Sequence, residues 1–435
     1  MAFVTRTPAR GARRRLAAAA TALATAAVWA LGAAQADPTE LTLVWRGNDA
    51  ALKALQGIVD PWAAAHDAKV TVLAGEGDWN AYYDKYATQI AAGVPVDVGM
   101  LDMQAIPLGA QGAFIDLTPY IRRDGVGGEV PPISLAAYTV KGSVYGFPTD
   151  LFPNVVYYNQ DLFDRAGLGL PPSDWQAKGW TWDEFAQDAK LLTLTDAGGK
   201  RIQWGSHKLA ARAGAIVASF GGHMVTKDQT FDFKDPNVQN ALNFIYHLLI
   251  DDKVEPQAGE DAGGGWNPFP VGHIGMEYTG TWQSAHLVNA PFKWNVAVTP
   301  MAATRTAEVT INALGIGRTS QHKELAWELI RFLTTDPAAS HQFALQVATG
   351  IPATRRGQID YLQQQRDLFP GMNAQVAVDA LAYGVLDPFR LTVEFRKLAD
   401  VKKKSWDAAF AGQMPLANAL EQLKTLGDPL LAAGR

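Results

Sequence analysis

Trp45, Trp79, Trp266 and Trp282 fall in expected loops beside Asn, Asp and Gly. A flat aromatic ring can bury the apolar C–H face of a polyhydroxylated ring, while planar polar side chains bind the hydroxyl rim in pairs. Such a site needs aromatics and carboxylates together in a cleft. Trp62, Trp182, Trp327 and Trp406 are instead assigned to cores or interfaces, where most tryptophans belong.

Catalytic patterns do not emerge. The sequence has no G-x-S-x-G, H-E-x-x-H or Walker loop. Gly315-Ile316-Gly317 lacks the third glycine of a dinucleotide fingerprint. The eight histidines are not at metal-ligand spacing, and no EF-hand loop is present. His273 reads as a strand residue. Asp183-Glu184 and Asp251-Asp252 sit in or at the ends of expected helices, where a solvated face accounts for them. No cofactor, metal or catalytic residue is therefore expected, although a carboxylate pair assembled from distant segments would leave no local pattern.

The elements that must position these residues alternate in type. Leu41 to Trp45, Lys69 to Leu73 and Val96 to Leu101 read as strands. Leu52, Leu55, Ile58, Val59 and Trp62 recur at helical spacing between the first two, and Trp79 to Ala92 reads as a helix stopped by Gly93. Short apolar strands separated by helices predict a mainly parallel sheet covered on both faces. Ligands of such sheets bind beyond the carboxyl ends of the strands, which points at Trp45 to Asp49, Gly75 to Trp79 and Asp102 to Gln104. Further on, Tyr138 to Phe147 predicts a hairpin turning at Lys141-Gly142, and Asn154 to Tyr158 a strand. Thr181 and Glu184 predict a capping box for the helix from Trp182. Helices over Leu209 to Phe220 and Val238 to Ile250 follow. Strands are expected over His273 to Tyr278, Trp294 to Thr299 and Asn312 to Ile316, then a mostly helical tail from Glu324.

Composition bounds the compartment. Arg6, Arg10, Arg13, Arg14 and Arg15 precede an apolar run from Leu16 to Ala34, and Ala34-Gln35-Ala36 offers small residues for cleavage. That is a secretory signal pattern over residues 1–36. Loss of the five arginines takes the formal charge from −5 to −10, an unsuitable balance for nucleic acid. With no cysteine, the chain has neither disulfide nor lipid-anchor site. A protein free in the periplasm is expected. Its 435 residues suggest two lobes rather than one core.

Ordered segments then carry a resemblance. They are Tyr83-Asp84-Lys85, Ala91-Ala92-Gly93 with Pro95-Val96-Asp97-Val98, and Gln111-Gly112-Ala113-Phe114-Ile115-Asp116-Leu117-Thr118. Val144-Tyr145-Gly146-Phe147-Pro148, Val156-Tyr157-Tyr158-Asn159-Gln160-Asp161-Leu162-Phe163 and Trp180-Thr181-Trp182-Asp183-Glu184-Phe185 follow. The last are Gly272-His273-Ile274-Gly275-Met276, Gly280-Thr281-Trp282 and Gly350-Ile351-Pro352-Ala353. Together they resemble the family 1 extracellular solute-binding proteins of ABC sugar importers, the maltose-binding-protein group. Val96 is inserted in the family's "P-D-V", and Gln160 replaces a usual lysine.

The resemblance implies an α/β, two-lobed periplasmic-binding-protein fold of type II, its lobes joined by crossing strands with a ligand cleft between them. The first lobe is expected over 37–149 and about 295–350, the second over about 150–294 and 351–435. It implies a monomer that binds a sugar or polyol by lobe closure and delivers it to a membrane ABC permease. Trp282 matches the family's "G-x-W" tryptophan, and Asp102 follows the "P-D-V" strand. Asp150, Phe152 and Asn154 lie at the crossover, and Arg390, with Phe389, lies where a late segment closes the cleft. Trp266, Trp45, Trp79 and Gln104 complete the candidates. A polyamine would suit the acidic charge. A phosphorylated polyol would need clustered cations, for which only Arg46 and Arg390 are candidates. A metal as the solute, a carbohydrate-cleaving enzyme and a sensor partner that presents the solute to a membrane receptor are further alternatives.

Overall fold

The computed structural model describes residues 1–2, 37–75, 79–94, 96–257, 259–348, 350–390 and 392–433. The expected cleavage at Ala36 lies outside them. Strand β1 (Thr39–Trp45) leads through helix α1 (Asp49–Ala65) to β2 (Ala68–Ala74), which pairs with it in parallel. Asn48 caps α1 by accepting from the Ala51 N–H, and Leu55, Ile58, Val59 and Trp62 bury one face. Helix α2 (Trp79–Ala91) leads to β3 (Val98–Leu101), parallel to β1 on its other side. The expected hairpin forms, with Lys141 at φ 49° and Gly142 at φ 84°. Both turn residues take the left-handed region that a two-residue hairpin demands.

Strand β4 (Phe147–Asn159) is the structural axis. All 13 of its residues are buried. It extends well beyond the expected Asn154 to Tyr158, although it contains Pro148 and Pro153, residues atypical of a strand interior. The second lobe then builds α3 (Trp182–Leu191), α4 (Ala213–Ser219), α5 (Pro236–Tyr246), β5 (Met276–Gly280) and β6 (Trp294–Ala297). Thr181 and Glu184 complete the expected capping box on α3. Strand β7 (Ala307–Ile316) crosses back. Helices α6 (Lys323–Thr335) and α7 (Pro337–Gln346), strand β8 (Ile351–Pro352) and helix α8 (Arg355–Leu368) follow. Strand β9 (Gly384–Val385) precedes α9 (Phe395–Phe410) and α10 (Leu416–Ala432).

The register of β4 explains the two lobes. Its first half, Phe147 to Pro153, pairs antiparallel with β7. From Asn154 it changes neighbours, pairing with β5 and then with β6. Its two ends therefore lie in two separate apolar cores. Leu43, Leu101 and Trp327 belong to the first core, and Val156, Trp182 and Trp406 to the second. The cores divide the chain differently from the expected boundaries. Val296, Ala297 and Ala307 pack in the second, and Ile351, Ala353 and Tyr361 in the first. The reason is that β7 itself makes the return crossing, and α8 packs on α7 before the chain leaves the first lobe.

One contact of the first lobe gives a pH prediction. The Asp124 carboxylate accepts from Arg123 Nε at 2.8 Å, Trp327 Nε1 at 2.7 Å and Arg331 Nη1 at 3.0 Å. Arg123 first, with Trp327 and Arg331, holds its carboxyl well below the usual aspartate range. A depressed folded pKa stabilises at neutral pH, and that stabilisation is lost as pH falls below the unfolded value. Asp124→Asn should lower Tm by about 2–4 °C at pH 7, and the gap should narrow below about pH 4. Melting curves across that range would check it; a gap independent of pH would refute it.

Candidate functional site

The carboxyl ends of β1 and β3, the middle of the two crossing strands and the segment after β5 converge between the lobes. From the first lobe, Asp102 follows directly on β3 and is 2% exposed. Its N–H donates to the Tyr83 hydroxyl at 2.7 Å, and that hydroxyl donates to Asp102 Oδ1 at 2.8 Å. Burial, then the Asp102 charge, push the Tyr83 pKa far up, so the hydroxyl stays protonated. Trp79 opens α2 and stacks on Tyr83 at 5.7 Å and 16°. The Arg46 guanidinium covers the Trp79 ring at 4.8 Å.

On β4, Asp150 accepts from Thr149 Oγ1 at 2.7 Å and from Asn312 Nδ2 of β7 at 3.4 Å. The ladder shifts register between Asn312 and Ala313 at this point. Tyr138 shares its hydroxyl proton between the carbonyls of Ile311 at 2.6 Å and Leu101 at 3.1 Å, tying β7 to the end of β3. Phe152 lies two residues beyond Asp150, with Gly350 close enough that a Cβ there would come within 2.6 Å of its ring.

From the second lobe, Trp282 is the second residue of a short 3-10 turn (Thr281–His286) after β5 and is half-buried. Its ring lies over Gly280, where a Cβ would meet it at 2.0 Å. The ring centroid is 5.6 Å from that of Phe152 and 5.5 Å from the Arg212 guanidinium. Arg212 Nη1 donates to Glu308 Oε1 of β7 at 2.7 Å. Burial pushes the Glu308 carboxyl up, opposed chiefly by Arg212. Arg390 pairs with Asp387 at 3.5 Å and feels Asp102 and Glu308 as well. Burial works against its charge, and these carboxylates outweigh burial, Asp387 foremost. Both side-chain polar atoms of Asn154, Arg212 Nε and Glu308 Oε2 are buried without a hydrogen-bond partner. Asp84 of α2 and Arg396 of α9 form an ion pair across the lobes at 2.5 Å, but its exposure leaves it a small energetic role.

The structure thus brings Asp102, Asp150, Phe152, Asn154, Trp282 and Arg390 into one region, with Trp79 joined through Tyr83. Trp45 does not join it. It is 2% exposed and packs edge-on against Phe343 at 5.1 Å in the first core. Trp266 is 69% exposed, flanked by His286 and by Lys208, whose ammonium is engaged by Glu277 at 2.8 Å. Gln104 falls in the turn Met103–Ala105, and its side chain lies outside the described residues. Arg212, Glu308, Asn312 and Asp387 were not expected here. Arg212 and Glu308 are 96 residues apart, so no local spacing announces them.

Two α/β lobes joined by crossing strands, with an aromatic and charged cleft between them, define the type II periplasmic-binding fold. The profile of bacterial extracellular solute-binding proteins matches residues 47–340, and the chain belongs to that family. A protein of Brucella abortus described as a binding protein is 28% identical over 269 residues, covering 59% of this chain and 62% of the relative. An arabinooligosaccharide-binding protein of Bacillus subtilis is 24% identical over 300 residues, covering 64% and 61%. The chain thus spans a little under two thirds of the length of the curated relatives it matches. An ABC substrate-binding protein from Listeria monocytogenes in complex with cycloalternan superimposes with a TM-score of 0.75 at 28% identity, over 89% of this chain and 98% of that one. Among the described residues no helix is long and apolar enough to cross a membrane.

Proposed function

We propose that this protein captures a sugar or polyol between its lobes and delivers it unchanged to an ABC permease. The observation that carries this reading is the Phe152–Trp282 aromatic pair set against Asn154, Arg212 and Glu308, whose buried polar atoms lack partners. Aromatic faces suit the C–H side of a sugar, and the polar groups suit its hydroxyls. The names of the Bacillus and Listeria relatives point the same way. Asp102 stands on the first lobe and Trp282 on the second. A ligand touching both favours the closed state by its differential contacts there. Asp102, Asp150, Phe152, Asn154, Trp79, Trp282 and Arg390 are the proposed ligand-binding residues, with Trp266 at the rim. The protein acts as a monomer in the periplasm, its leader removed after Ala36.

A thermal-shift screen against sugars, polyols, sugar phosphates and polyamines tests this. A ligand of the folded state raises Tm; at about 100 times Kd it adds about 2.7 kcal/mol of stability. A shift with one sugar or polyol class, recovered intact, is the expected result. A shift from polyamines alone would show that the cleft carboxylates bind a cation instead, and conversion of the sugar would make the protein an enzyme.

A further inference from the structure

We infer that the cleft is a charge filter, in which the Arg212–Glu308 pair beneath Trp282, with Asp102, Asp150 and Asp387, fits an uncharged polyhydroxylated ligand and rejects its carboxylated or phosphorylated counterparts. This rests on the sugar reading above and names the charge class of its ligand.

The charge census comes first. Arg212 is engaged by Glu308 at 2.7 Å and Arg390 by Asp387 at 3.5 Å. Arg390 also lies within the fields of Asp102 and Glu308. The third guanidinium nearby, Arg46, is stacked on Trp79 at 4.8 Å. Among the described residues, this region holds the carboxylates of Asp102, Asp150, Glu308 and Asp387 and the guanidiniums of Arg46, Arg212 and Arg390, with Arg212 and Arg390 each held by a carboxylate. An anionic ligand would bring a further negative charge into a poorly solvated site with a carboxylate excess, and like charges there repel strongly.

Hydrogen-bond polarity leads independently to the same class. At Asn154, Arg212 and Glu308 the buried unpartnered atoms are two donors, Asn154 Nδ2 and Arg212 Nε, and two acceptors, Asn154 Oδ1 and Glu308 Oε2; the nearby Thr279 and Thr281 hydroxyls, also buried without a partner, can serve either way. A hydroxyl donates and accepts, so a row of hydroxyls can serve all four. A carboxylate or phosphate only accepts and would set its oxygens against Asn154 Oδ1 and Glu308 Oε2. An ammonium only donates and would leave Asn154 Nδ2 and Arg212 Nε unmet. Leaving such buried groups unpaired is how a polar site rejects a near-isostere.

The test is calorimetric titration of the full mature chain with matched sets: neutral hexoses, pentoses, hexitols and their disaccharides, beside the corresponding uronates and sugar phosphates. The neutral member should bind about tenfold or more tightly than its acidic partners. In Glu308→Gln the Arg212 charge is no longer countered, and the neutral-to-acidic ratio should fall by about tenfold. A merely structural Glu308 would weaken both alike and leave the ratio unchanged. If that variant does not fold, Asp387→Asn reads the same ratio through Arg390. An acidic sugar binding as tightly as its neutral parent, or a ratio unmoved in the folded variants, overturns the filter and leaves the sugar reading intact. No binding by any member overturns both.

Discussion

Replacing Arg212 with methionine is expected to destabilise the fold by about 3–5 kcal/mol at pH 7, the usual cost of removing one partner of a buried ion pair. Glu308 is 2% exposed, and its Oε2 already lacks a partner. Arg212 supplies its direct hydrogen bond and the chief opposing charge. Without it the carboxylate must remain buried and uncompensated or take up a proton. Its pKa, already raised by burial, would rise further. An acid whose folded pKa is raised binds its proton more tightly in the folded state. Stability is then fully retained below the unfolded value and lost as pH rises through the folded one. The deficit of Arg212→Met should therefore shrink on acidification toward about pH 5.

The double variant Arg212→Met with Glu308→Gln should recover most of the loss, because it removes the stranded charge as well as its partner. Urea unfolding of the parent and the three variants, at two pH values, measures both claims. A single variant as stable as its parent would mean that Arg390, whose field also reaches Glu308, neutralises it alone.

What the sequence made legible was what local pattern carries. The ends of β1 and β3 could be placed because short apolar strands and helical spacing fix a parallel arrangement, and Asp102 follows from it. Trp282 was singled out as a loop tryptophan and through its match to the family's "G-x-W", and it lies beside Phe152 and Arg212. Trp45 had the same loop-end setting, and only the three-dimensional position of Phe343 shows that its ring is core. Only Asn154 to Tyr158 of β4 read as a strand, because Pro148 and Pro153 are atypical of a strand interior, whereas the strand changes neighbours at Pro153 and runs on. The lobe boundary was misplaced for a related reason. Only Asn312 to Ile316 of β7 read as a strand, whereas the strand begins at Ala307, which packs in one core while Ala313 packs in the other. The Arg212–Glu308 pair forms only when the second lobe folds against this returning strand, so nothing in either local sequence foretells it.

The second large effect is on binding. Trp282→Ala should weaken the ligand by about 1–3 kcal/mol, roughly fivefold to 150-fold in Kd, while the lobes still fold. The ring is half-buried, so most of its loss falls on the cleft rather than on a core. Its neighbours support that reading. Gly280 leaves room for the ring, Phe152 meets it at 5.6 Å, and Arg212 stands 5.5 Å from it. Trp282→Phe keeps an aromatic face and should retain much of the affinity. Gly280→Ala keeps the tryptophan and displaces it, since a Cβ would meet the ring at 2.0 Å. It should weaken binding in the same direction without removing any aromatic surface. Trp266→Ala, at a ring 69% exposed, should change affinity by less than about 0.5 kcal/mol. Calorimetric titration of these four variants with the ligand from the thermal screen separates ring position from ring presence. Unchanged affinity in a folded Trp282→Ala variant would take Trp282 out of the site. Loss in Trp282→Ala without loss in Gly280→Ala would mean that the ring binds equally well when shifted, so its area matters more than its placement.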